Sequence, residues 1–92
     1  VSGEEVPESE DDAPLADELI EAEERDGSAR ALIAALPERQ RAAIVLTYYE
    51  ELSNAAAAEA LDMNIKAFES LLLRARTALR KAYAADMEGD LA

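Results

Sequence analysis

The sequence predicts an all-α protein, a small helical domain that ends in a helix-turn-helix. Three observations carry this. Apolar residues recur at spacings of three and four, and nowhere alternate as in a half-buried strand. Gly27, Pro37 and the run Asp62-Met63-Asn64 punctuate the chain where one periodic segment gives way to the next. A short segment, Ser53 to Leu61, leads through that run into a longer periodic segment, the layout of a helix-turn-helix. The 92 residues suffice for one domain at most. A domain of this size buries only about 60% of its unfolded surface.

Residues 1–13, VSGEEVPESEDDA, hold almost no large apolar side chains and read as an acidic, disordered arm. Pro14 suits the first turn of a helix, where no amide donor is needed. A weakly amphipathic helix over 14–27 follows, with Leu15, Leu19 and Ala22 on one face, and Gly27 ends it. Ser28 is placed to cap the next helix, whose Leu32, Ala35 and Leu36 face inward. Pro37 breaks that helix and opens another, running to Glu51, with Ile44, Val45, Tyr48 and Leu52 as its stripe. Ser53 or Asn54 caps the short helix through Leu61. Asn64 caps the last one, IKAFESLLLRARTALRKAYAA. Residues 28–85 make up the helix-turn-helix domain and 86–92 an acidic tail.

The formal charge of −12 is unevenly spread. Residues 1–27 carry twelve acids and one base, −11; residues 28–83 carry eight bases and six acids, +2; residues 84–92 add three acids. The body is mildly basic between acidic ends, so the whole-chain acidity misleads about partners. His and Cys are absent, which removes disulfides, thiol chemistry and the usual zinc ligands. No metal, cofactor or catalytic residue is assigned. The lack of Cys fits a cytoplasmic protein. No apolar run reaches the ~18 residues of a membrane span, and no signal-peptide pattern opens the chain. The start on Val1 suggests a piece of something longer.

The four consecutive alanines at 55–58 look like filler. In a helix-turn-helix, however, the first helix crosses closely over the second, and its inward positions need small side chains. Ala57, Ala58 and Leu61 can face a stripe of Ile65, Phe68, Leu72, Ala75, Leu79 and Ala82. The motif's core is thus expected at Ala58, Leu61, Ile65, Phe68 and Leu72. The opposite face of the last helix carries Lys66, Glu69, Ser70, Leu73, Arg74, Thr77, Arg80 and Lys81. Residues 65–83 hold five bases against one acid, +4. Such a face suits phosphate binding. The N-terminal turns of a recognition helix enter the major groove, so Lys66, Glu69, Ser70 and Leu73 are the expected base readers. Ser53, Arg74, Arg76 and Arg80 are the expected phosphate contacts. An ordinary solvated helix face has the same spacing.

Residues 29–83 resemble the C-terminal, fourth conserved region of bacterial extracytoplasmic-function sigma factors. The opening ALIAALPERQR, Ala31 to Arg41, matches the family's Ala-Leu-x-x-Leu-Pro-x-x-x-Arg with one residue's latitude. Tyr48 and Tyr49 precede Leu52-Ser53 as the family's aromatic pair precedes its Leu-Ser helix start. Arg74-Ala75-Arg76 followed by Leu79 matches the end of its recognition helix. LuxR-type domains share the helix-turn-helix but lack the Leu-Pro opening. The resemblance implies a winged-helix-like sigma region without strands and no enzymatic activity. It also implies recognition of the promoter −35 element, docking on the β flap of RNA polymerase, and control by an anti-sigma factor.

The chain departs from the family in three places. Ala56 stands where many members carry a capping glutamate, so Ser53 must cap alone. Asp62 stands where many have glycine, which asks Asp for left-handed backbone. Glu69-Ser70-Leu71 replaces a basic run. These residues and the net acidity also suit a sigma-like domain that binds an anti-sigma factor without reading DNA. The acidic arm is either a passive linker or a local repulsion against non-specific DNA.

Overall fold

The computed structural model describes the backbone of residues 6–91 and the side chains of residues 15–89. The described residues form five α-helices and one π-helical turn: α1 (Val6–Asp26), α2 (Ser28–Ala34), α3 (Glu38–Ile44), the π-turn (Val45–Tyr49), α4 (Asn54–Ala60) and α5 (Ile65–Leu91). No strand occurs among them. The all-α expectation therefore holds, and α5 sets the long axis. Its 27 residues span about 40 Å at 1.5 Å per residue, close to the longest molecular extent of 44 Å.

The first helix differs from expectation. It is described from Val6, not from Pro14, so residues 6–13 are helical backbone and not a disordered arm. The expectation for residues 1–5 lies outside the described residues. Nor is α1 an appendage. Leu15, Leu19 and Ala22 are buried in the same core as Ala29, Ile33, Phe68 and Leu79. Gly27 ends the helix in left-handed backbone (φ 69°). Its N–H donates to the Glu23 carbonyl at 2.9 Å, the αL helix stop.

The cap of α2 also differs. Gly27 holds the N-cap position, and Ser28 is the first helical residue. The Ser28 N–H donates instead to Asp26 Oδ1 at 3.1 Å. Hydrogen bonding to Ser28 is the main cause that holds the Asp26 carboxyl below its ordinary range; the Arg25 charge adds to it. The inward residues of α2 are Ala29 and Ile33, with Leu36 just beyond. Leu32 is only half-buried and Ala35 is exposed. Arg41 Nη1 reaches back to the carbonyls of Ala34 (3.3 Å) and Leu36 (3.4 Å). An arginine so placed satisfies carbonyls that the helix end leaves without partners.

Pro37 is the N-cap of α3 rather than its first residue. The expected single helix over 37–51 runs α-helically only to Ile44 and then widens into the π-turn. There the Glu50 N–H donates to the Val45 carbonyl at 2.9 Å, an i→i−5 bond. Leu52 N–H then reaches the Leu46 carbonyl at 3.0 Å across Glu51, whose φ is 60°. The last helix is also longer than expected: α5 runs past Ala85 through the acidic segment to Leu91.

Candidate nucleic-acid interface

The two helices of the motif are set by their caps. Ser53 Oγ accepts from the Ala56 N–H at 3.1 Å, and Asn64 Oδ1 accepts from the Ala67 N–H at 2.8 Å. Each side chain satisfies a donor that the first helical turn leaves open. Between them α4 closes in a Schellman stop. The Met63 N–H donates to the Ala58 carbonyl (2.9 Å) and the Asp62 N–H to the Glu59 carbonyl (3.0 Å), with Asp62 at φ 59°. Asp62 thus supplies the left-handed turn without glycine.

Ala57 and Ala58 are buried under α5, which is why α4 tolerates no larger side chains there. Phe68 and Leu72 form the centre of the motif's core at 0% and 1% exposure. Leu61 is half-buried against that core. Ile65 corrects the expectation: it is 44% exposed, because it opens α5 ahead of the crossing. Leu71 is buried as well, so it belongs to the core and contributes nothing to an outer face.

Lys66, Ser70, Leu73, Arg74, Thr77 and Lys81 are exposed. Their spacing is i, i+4, i+7, i+8, i+11, i+15, which makes one continuous helix face. Leu73 is 55% exposed at its middle. Glu69 and Arg80 are half-buried at its edge. Of the expected readers, Lys66, Ser70 and Leu73 therefore share a face with the expected phosphate contact Arg74. Arg76 does not. It is 3% exposed, and its Nε donates to Tyr48 Oη at 3.0 Å. The expectation that it meets phosphate fails on geometry: helical spacing turns residue 76 toward the π-turn. Ser53 is exposed, with its hydroxyl oxygen committed to the cap.

Sequence reasoning missed a polar clasp between α1 and the far half of α5. Arg25 Nη2 pairs with Asp86 at 2.6 Å, and Nη1 lies 3.0 Å from Met87 Sδ. The Arg25 guanidinium stands 5.7 Å over the Tyr83 ring, and Tyr83 Oη donates to Glu21 at 3.2 Å. Tyr49, 49% exposed, separates two shallow grooves. One, about 310 Å³, has Leu19 and Ile20 with Glu23 and Glu24 on its rim. The other, about 290 Å³, has Ile33, Ala34 and Val45 between Arg30 and Arg41.

A short capped helix, a left-handed stop and a long helix with a basic outer face define a helix-turn-helix DNA-binding fold. A family model described as Sigma-70, region 4 matches residues 27–79, more than half of the chain, and the chain belongs to that family. Region 4 is a DNA-binding regulatory domain and not an enzyme; in sigma factors it binds the −35 element and the β flap. The match begins at Gly27 and leaves α1 outside. No curated protein and no solved structure matches the chain. No helix among the described residues is long and apolar enough to cross a membrane.

Proposed function

We propose that this chain is the region 4 of an extracytoplasmic-function sigma factor, working in the cytoplasm, that reads the promoter −35 element through α5. The observation that carries the proposal is the continuous exposed face of Lys66, Ser70, Leu73, Arg74, Thr77 and Lys81 on the second helix of a capped helix-turn-helix. Lys66 and Ser70 lie in the first turns, where a recognition helix meets base edges. Glu69 at the edge of that face is placed to accept from cytosine N4. Arg74 lies further along and meets phosphate. The apolar groove between Arg30 and Arg41 is the face we assign to the β flap.

The test is binding of −35-type and scrambled duplexes across a salt series. Affinity should fall steeply with salt, by about one log unit per log unit for each phosphate contacted. Arg74→Ala should weaken all sequences alike. Glu69→Ala should change preference at one base pair by about 1–3 kcal/mol. Equal, sequence-independent losses from both variants contradict the base-reading role of Glu69.

A second reading is a sigma-like domain that binds an anti-sigma factor without reading DNA. Glu69 at the edge of the α5 face and the net charge of −12 favour it, since acidic surface repels the phosphate backbone. The absence of any salt-sensitive duplex binding would select this reading over the first.

A further inference from the structure

α1 lies outside the matched region, yet it is docked on the helix that carries the reading face. The clasp contacts give its direction. Glu21 meets Tyr83, and Arg25 meets Asp86 and Met87, at sequence separations of 62, 61 and 62. A constant separation means that the two helices run parallel, with residue i of α1 level with residue i+61 or i+62 of α5. Higher up, Ala16, Leu19 and Ile20 of α1 border Tyr48, the tyrosine bonded to Arg76 of α5. Arg76, Arg80, Tyr83 and Met87 recur at i, i+4, i+7, i+11, so α1 follows the edge of α5 that adjoins the basic face. The same register brings the backbone of residues 11 and 12 level with residues 72–74, on the Leu73 side of the basic face. Residues 23 and 24 stand level with 84–86, past Lys81, the last basic residue of the helix.

α1 carries ten carboxylates against one arginine, −9, while residues 65–83 of α5 carry +4. Carboxylates held within about one Debye length, ~10 Å at 0.1 M salt, of a phosphate path repel it. We propose that α1 is a built-in electrostatic gate: a docked acidic helix that lowers the affinity of the α5 face for any duplex, most strongly through its end level with Leu73. The gate rests on the DNA-binding reading above. It acts by position as well as by charge, and an agent that neutralises or displaces α1 opens the face without touching it.

Two matched pair substitutions in the full chain test this. One is Asp11→Asn with Asp12→Asn; the other is Glu23→Gln with Glu24→Gln. Each removes two charges. Affinity for a random-sequence duplex is measured by fluorescence anisotropy at about 50 mM and 500 mM salt. The first pair should raise affinity about fivefold at low salt and less than about twofold at high salt. The second pair should raise it by less than half as much. Equal effects from both pairs overturn the positional gate, and so does no effect from either. If the parent and both variants leave the duplex unbound, the DNA-reading proposal falls and the gate falls with it. If all three bind with equal affinity, only the gate falls. Circular dichroism of each variant confirms that α1 keeps its helix. If the first pair raises affinity only with loss of that helix, the gain comes from undocking, and the charge-based gate is overturned.

Discussion

Glu51 and Asp62 both hold left-handed backbone, at φ 60° and 59°, but at unequal cost. Asp bonds locally through its short side chain and visits this region far more readily than Glu. Replacing either with glycine removes a Cβ penalty. Glu51→Gly should therefore stabilise the fold by about 1 kcal/mol, and Asp62→Gly by about half that or less, as urea midpoints at constant m-value would show. The sequence pointed to Asp62, because a helix stop between two periodic segments needs such a residue. Glu51 was not legible: its conformation follows from the π-turn before it, and no residue pattern marks a π-turn. Arg76 was misread for a related reason. Composition marks it as one more base on a basic helix, while the hydrogen bond to Tyr48, 28 positions away, is a tertiary fact. Arg41, by contrast, was visible only as a family mark, and its reach to the α2 carbonyls gives that mark a physical cause.

At the scale of elements, local chemistry was most legible where a helix is closed by its own residues. Ser53 and Asn64 cap as their positions imply, and the alanines at 57 and 58 are buried as a close crossing requires. Boundaries set by distant packing were not. The extension of α5 to Leu91 is supported by Asp86 and Tyr83 meeting α1, and the acidic composition after residue 85 hides it. At the start of α4, the half-buried Ala56 occupies the position from which a glutamate would bond back to the Ser53 N–H. Ala56→Glu should add a few tenths to about 1 kcal/mol, measured by chemical denaturation. A loss would mean that the longer side chain cannot leave the surface of α4.

At the scale of the molecule, the buried apolar side chains among the described residues form one core, with α1 inside it. Leu19, 5% exposed, joins the same apolar cluster as Phe68 of the recognition helix. Leu19→Ala should cost about 2–5 kcal/mol. It should also lower the midpoint of one cooperative transition rather than split it, with fluorescence of the tyrosines and far-UV dichroism reporting the same curve. Two separate transitions would show α1 melting alone. The outer face of α5 was largely legible, since Lys66, Ser70, Leu73 and Arg74 follow from helical period alone. That α1 runs along its edge was not, because the apolar stripe of Leu15, Leu19 and Ala22 says that a helix is buried but not against what.

The π-turn has a consequence of a genetic kind. A helix that widens for one turn holds one residue more than a regular ladder would need. Loss of a single codon there, such as that for Thr47, would leave every helix intact and let α3 continue as an ordinary α-helix. Each later residue would then be turned by about 100°. Tyr48 would swing away from Arg76, and the tie between α3 and the back of the recognition helix would be cut. A sequence one residue shorter would keep the cap at Ser53, the stop at Asp62 and the basic face of α5. It would hold that face at a different angle, so a length change in this segment re-aims the face without altering any residue on it.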